Sequence, residues 1–303
     1  MATVNNVDEL KQARISDQSE IFIVDKKLVK QVTAVKSLSE AVMQQNDIAR
    51  LGEAVRLLEN PSWTARITDL IGMPIEWGMA QLPKRASQAI SNATTKAIGK
   101  ALEVAVDAME KEHHGPHKKW WHRGAAALSG GVGGFYSLPG LVIELPVFTI
   151  MMLRSIADIA GSEGENTRTI EAQLACMEVF ALGGRKKSDG ATETSYYAVR
   201  VALAKALSEA GEFIAEKGLV EKGAAVIVRF IAEIAIRFRV IVSEKVAIEI
   251  VPVVGAVGGA TINLLFINHF ESMARGHFIV RNLERKYGEE IVRKEYERIA
   301  HIS

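Results

Sequence analysis

The chain has 303 residues, of which 48% are hydrophobic and 24% are charged, so it can bury a large core. Its 37 basic and 36 acidic residues give a net charge of +1, which excludes a strongly basic nucleic-acid-binding protein. The single cysteine, Cys176, excludes an internal disulfide framework and a cysteine-based metal cluster.

The first twenty residues are charged and have no apolar stretch after a basic start, so we expect no secretory signal and a cytoplasmic protein. Residues 21–24 predict a short extended segment. In residues 28–42 apolar side chains recur every three or four positions, which predicts an amphipathic helix. We therefore assign residues 1–59 to an N-terminal extension. Asn60-Pro61 predicts the start of the next helix.

The rest of the chain shows helical patterns separated by polar breaks, and no alternation of strands and turns. The sequence therefore predicts an all-α fold, a single large helical bundle. One long alanine-rich helix begins at Pro83 and ends before His113, and the polar residues 163–166 form a loop. Further helices are predicted over residues 169–182, 192–217, 223–242 and, as a charged closing helix, around 283–299.

Two glycine-rich apolar segments, residues 124–159 and 246–268, differ from the other helical stretches. Mean hydropathy is roughly 1.6 over residues 138–156 and roughly 1.7 over residues 246–264, near the threshold for a transmembrane helix. Charged residues and prolines within them oppose simple spanning of a bilayer, whereas their paired glycines allow close helix packing. They are either interior helices of the bundle or a helical hairpin that inserts into, or lies on, a membrane.

Residues 118–123 have the composition of a membrane-interface anchor, with amphipathic rings for the headgroup region and cations for anionic lipid. The interface candidates are Lys118, Lys119, Trp120, Trp121 and Arg123. The alternative is a surface loop whose tryptophans pack on the core. Histidines surround this segment, but Gly115-Pro116 breaks the helix that would space them as ligands, so we predict no metal and no cofactor.

The charged residues within the apolar helices are the other candidates for function. Arg229, Glu233 and Arg237 share one helix face, where Glu233 is placed to pair with both arginines. A second group is predicted to meet between the two glycine-rich segments, because buried charges need partners. Its members are Glu144, Arg154, Asp158, Asn263 and His269. They form either a structural network or a ligand or catalytic pocket.

Two blocks of the sequence resemble the EcsC family of bacterial proteins. The first runs from Leu145-Pro146 through residues 152–160 to 179–184, and the second runs from Pro252 to Ala274. Family members usually carry aspartate where this chain has Glu144. We assign residues 60–290 to an EcsC-like helical domain and residues 291–303 to the end of the charged closing helix. The resemblance implies a helical protein with a membrane connection and supplies no catalytic residues.

These observations lead to two functional hypotheses. The first is a non-enzymatic cytoplasmic protein that associates peripherally with the membrane through lipid or a membrane-protein partner. The second is a hydrolase that uses the polar group of Arg154, Asp158, Asn263 and His269. No nucleic-acid partner is expected, and the oligomeric state stays open.

Overall fold

The computed structural model describes residues 3–4, 23–24, 43–59, 75–110, 138–183, 195–218, 223–249 and 259–302. Across these ranges the chain forms nine α-helices packed into one body, which confirms the predicted all-α fold. The strands there are β1 (Thr3–Val4) and β2 (Ile23–Val24), which pair in parallel. The second strand lies within the extended segment predicted for residues 21–24.

The helix bounds follow the predicted pattern closely after residue 83. The helices are α1 (Gln45–Glu59), α2 (Ile75–Gln81), α3 (Lys84–Glu110), α4 (Leu138–Ser162), α5 (Ile170–Glu178), α6 (Ser195–Lys217), α7 (Ala225–Glu249), α8 (Gly259–Tyr287) and α9 (Glu289–Ile302). A single 3₁₀ turn, Val179–Ala181, extends α5. The amphipathic helix predicted for residues 28–42 and the helix predicted after Asn60 lie outside the described residues.

Local signals explain where several helices end. Thr169 caps α5, because its Oγ1 accepts a hydrogen bond from the backbone N–H of Ala172 at 3.2 Å. The loop predicted for residues 163–166 lies between α4 and α5, and Gly164 turns it with a φ of 86°. The prediction of one closing helix around residues 283–299 is wrong, because Gly288 adopts a φ of 90° and separates α8 from α9.

Helices α4 and α8 run side by side in the same direction. The rings of Phe148 and Phe266 lie 5.7 Å apart, and Ser155 donates a hydrogen bond to Glu271 at 2.6 Å, so later residues of α4 contact later residues of α8. Helix α7 runs antiparallel to α8, since its Phe238 ring lies 5.7 Å from the Phe270 ring. We call the end of the bundle at which α4 and α8 begin and α7 ends the glycine end, because a glycine-rich segment precedes each of α4 and α8 in the sequence.

The centre of the core is a group of phenylalanines from the 3₁₀ turn, α7 and α8. Phe180 lies 5.3 Å from Phe238 and 5.6 Å from Phe270, with the rings tilted or edge to face. All three side chains are buried. Each such burial stabilises the fold by roughly 1.5–3 kcal/mol, and the ring contacts add about 0.5–1.5 kcal/mol per pair.

Candidate functional site

Glu144 contributes a partly buried charge at the glycine end. Beside it, Lys245 forms an ion pair with Glu249 at 2.5 Å, and the side chains of the pair are 4% and 13% exposed. Burial lowers the pKa of Lys245 and raises the pKa of Glu249. The negative charge of Glu144 raises the pKa of both groups. Oε2 of Glu144 is enclosed and has no hydrogen-bond donor among the described residues. The sequence analysis did not place Lys245 and Glu249 in this group.

Asn263 lies at the same level of the bundle as Glu144. Glu144 precedes Phe148 by one turn of α4, and Asn263 precedes Phe266 by about one turn of α8, while the two rings are in contact. The Oδ1 atom of Asn263 is also enclosed without a donor in the part of the chain that the structure describes. The geometry therefore places Glu144 and Asn263 at the same level of the bundle.

The other predicted residues lie deeper along the helices. Asp158 follows Glu144 by fourteen positions on α4, which places their Cα atoms about 21 Å apart along the axis. Arg154 is partly buried, and burial lowers the pKa of its guanidinium, whereas the side chain of Asp158 is exposed. The five predicted residues are thus divided between two levels of the bundle. A role for them in ligand binding or hydrolysis stays a prediction.

His269 belongs to the deeper level and packs against a turn. Its side chain is 8% exposed, and its ring atoms Cε1 and Nε2 lie 2.6 Å from the position that a Cβ atom would take on Gly183. Gly183 has a φ of 81°, a conformation that L side chains rarely adopt. The imidazole is therefore held against the turn that follows Val179–Ala181, where only glycine leaves room for it.

The most enclosed ionisable group was not predicted from the sequence. Glu178 at the end of α5 is 3% exposed, and His277 of α8 is fully buried. Oε2 of Glu178 lies 3.7 Å from Nε2 of His277, and the Nδ1 atom of His277 lies 3.0 Å from the hydroxyl of Tyr196. Oε1 of Glu178 and Nε2 of His277 have no hydrogen-bond partner among the described residues. We call Glu178 and His277 the buried pair.

Burial sets the protonation of the buried pair. It raises the pKa of Glu178 to about 7, a rise that Arg200 and Arg281 oppose and Glu284 supports. Burial also lowers the pKa of His277 well below its usual range, and the same two arginines lower it further. At neutral pH the imidazole is therefore neutral, and the carboxyl group of Glu178 is protonated in about half of the molecules.

Hydrogen bonds and an ion pair join the helices around the buried pair. Arg200 of α6 forms an ion pair with Glu284 of α8 at 2.5 Å, and Tyr197 donates to the same carboxylate at 3.1 Å. Tyr296 of α9 donates to Glu59 of α1 at 3.0 Å. The buried pair holds a proton in the interior. Together with the residues around it, the pair brings together helices α1, α5, α6, α8 and α9. Because both members of the pair are enclosed, the geometry fits a structural network better than a site for substrate turnover.

The described residues hold no group of three His, Cys, Asp or Glu side chains that could bind a metal ion. Cys176 is buried, and burial raises its pKa to about 12, so its thiol is protonated and unreactive at neutral pH. The histidines near residue 115 and the interface candidates Lys118, Lys119, Trp120, Trp121 and Arg123 lie outside the described residues.

One helix within the described ranges is long and apolar enough to cross a membrane. It covers Glu144–Ser162 of α4, with a mean hydropathy of 1.3 over the best window, and 44% of that window is buried inside the protein. Core helices of soluble proteins meet the same criterion. Val147 of α4 and Leu264 of α8 are large apolar side chains at the glycine end, and they are 47% and 57% exposed.

Comparison with known proteins identifies the chain at the level of a family. The sequence profile of the EcsC protein family matches residues 62–283, well over half of the chain. The match covers α2 to α7 and nearly all of α8, and it includes both glycine-rich segments. No curated protein and no solved structure matches the chain significantly. The chain therefore belongs to the EcsC protein family.

Proposed function

We propose that the protein is a non-enzymatic, cytoplasmic protein that associates peripherally with the membrane through its glycine end. The observation that supports this proposal most directly is the pair of exposed apolar side chains, Val147 and Leu264. Each lies within two residues of the touching rings of Phe148 and Phe266, so both belong to one end of the bundle. Apolar side chains grouped at one end of a helical body are suited to the boundary between lipid headgroups and acyl chains.

The charges at the glycine end favour contact with the membrane surface over insertion of α4 across it. Glu144, Lys245 and Glu249 lie within the protein at this level, and Pro146 interrupts the hydrogen bonding of α4. A charge that enters the hydrocarbon core costs several kcal/mol unless it faces protein or water. A peripheral arrangement leaves these charges inside the bundle while the apolar side chains contact lipid.

Vesicle co-flotation tests the proposal. We expect the protein to float with vesicles that contain anionic phospholipid, and the double variant Val147→Glu, Leu264→Glu to lose most of this binding. The matched control is Ala225→Glu, Val228→Glu, which adds the same charges at two exposed side chains near the start of α7, away from the glycine end. Absence of flotation by the native protein, or equal loss in both double variants, would contradict the proposal.

A second comparison concerns the tryptophans of the interface candidates. If residues 118–123 anchor the protein, the variant Trp120→Ala, Trp121→Ala binds anionic vesicles more weakly than the native protein. If binding is unchanged, the tryptophans are not part of the contact, and the surface around Val147 and Leu264 carries it alone.

A further inference from the structure

Arg237 is a largely buried cation, and none of the described residues supplies a counter-ion for it. It lies in the middle of α7, and the residue is only 6% exposed. Its Nε atom is enclosed and has no acceptor, and no ion pair or hydrogen bond of its guanidinium is formed with the described residues. Because arginine keeps its charge at any physiological pH, it cannot relieve its burial by losing a proton.

The partner that the sequence suggested does not neutralise this charge. Glu233, one turn earlier, was predicted to pair with both Arg229 and Arg237. Arg229 instead binds Glu209 of α6 at 3.0 Å, and among the described residues Glu233 forms no ion pair with Arg237. A buried charge is normally paired, and none of the described residues pairs with Arg237, so its guanidinium can take the opposite charge from a molecule outside the chain.

The residues of α6 and α7 near Arg237 would surround such a molecule. The contact between Arg229 and Glu209 sets an antiparallel register that brings Val201 of α6 to the level of Arg237. Val201 is 59% exposed, and Ile236, the neighbour of Arg237, is 37% exposed. The enclosed Nε atom of Arg237 therefore lies beside an apolar part of the surface formed by α6 and α7.

We propose that Arg237 binds an oxyanion, a phosphate or carboxylate group, between α6 and α7. The planar guanidinium presents its N–H donors as a fork that matches two oxygens of either group. This site is separate from the glycine end and does not depend on the proposed membrane association. The anion comes either from a free small molecule or from the headgroup of a lipid, and the experiment below distinguishes the two sources.

Thermal denaturation of the full chain tests the site with the variant Arg237→Met, which keeps an unbranched side chain and removes the charge. In potassium chloride we expect this variant to melt at the same temperature as the native protein or higher, because an uncompensated charge is lost. Inorganic phosphate or decanoate, added at constant ionic strength, raises the melting temperature of the native protein by roughly 2 °C or more. The variant shows no such shift.

The matched control is Arg229→Met on the same helix, which removes an exposed arginine and is expected to shift with the anion like the native protein. A rise in the melting temperature of the native protein with inorganic phosphate would show that a free anion is sufficient for binding. A shift with decanoate alone, together with weaker vesicle flotation of Arg237→Met, identifies an amphiphile or lipid headgroup.

Three results would overturn the inference: a lower melting temperature of Arg237→Met in potassium chloride, an anion shift that this variant retains, or no shift of the native protein with either probe. The first would show that the chain itself supplies a counter-ion. None of the three affects the flotation result, so the proposed membrane association is judged separately.

Discussion

Replacement of Glu178 by glutamine removes the ionisable carboxyl group of the buried pair and keeps its size. In the native fold the pKa of Glu178 is raised to about 7 from an ordinary value of 4.5. Between these two values the folded chain binds more protons than the unfolded chain, so the free energy of unfolding falls as pH rises. The contribution of Glu178 is most favourable below pH 4.5 and is lost as pH rises through 7.

The size of this effect follows from the two pKa values. Between pH 5 and pH 8, ionisation of Glu178 should lower the free energy of unfolding by about 2–3 kcal/mol, because one unit of pKa corresponds to about 1.4 kcal/mol. His277 acts in the opposite sense: its lowered pKa makes the fold less stable as pH falls below about 6.5. Arg200 and Arg281, not Glu178, are the charges that act on His277, so its contribution largely cancels between the native protein and Glu178→Gln.

The measurement is the difference in unfolding free energy between Glu178→Gln and the native protein, from urea denaturation at several pH values between 5 and 8. We expect the difference to shift in favour of the variant by about 2–3 kcal/mol from the lowest to the highest pH. Glu171→Gln is the control, because it removes a carboxylate from the same helix where the side chain is 84% exposed. A difference that stays constant within about 0.5 kcal/mol would refute the burial of an ionisable Glu178.

Two close contacts give further predictions that denaturation can measure. Gly276→Ala should destabilise the fold by about 1–3 kcal/mol, because the new Cβ lies 2.7 Å from the Cγ of Leu58. In contrast, a Cβ added at Gly52 in α1 meets nothing within 4 Å, so Gly52→Ala should stabilise the fold by about 0.5–1 kcal/mol. Gly183→Ala should cost about 2–3 kcal/mol through strain and the clash with His269, and combining it with His269→Ala should cost less than the sum of the single changes. A neutral Gly276→Ala, or additive effects at Gly183 and His269, would contradict these contacts.

The helices were predictable from the sequence because apolar periodicity and local breaks act over a few residues. Pro83 and the loop around Gly164 are signals of this kind, and the structure places helix ends there. The division between α8 and α9 was missed because Gly288 lies within a charged, regular pattern, and a single glycine in such a pattern is often tolerated.

The polar groups were predicted less well, for two physical reasons. A helix rises 1.5 Å per residue, so Glu144 and Asp158 are too far apart along α4 to belong to one cluster. This could have been concluded from the sequence alone. Glu178 also carried a signal, since four apolar residues precede it and four follow it. His277 and Arg237 carried none of comparable strength, because their burial depends on which helices cover them, and that is decided by tertiary packing.

The environment of the buried pair also depends on helices that lie outside the region matching the family. The hydroxyl of Tyr296 in α9 and the backbone N–H of Tyr196 both donate to Glu59 of α1, at 3.0 and 3.2 Å. The ring of Tyr296 stacks on that of Tyr196 at 5.5 Å, and Tyr196 contacts His277. Residues 62–283 contain both members of the buried pair, but α1 and α9 cover the tyrosine beside it. In this chain α1 and α9 therefore help to exclude water from the buried pair.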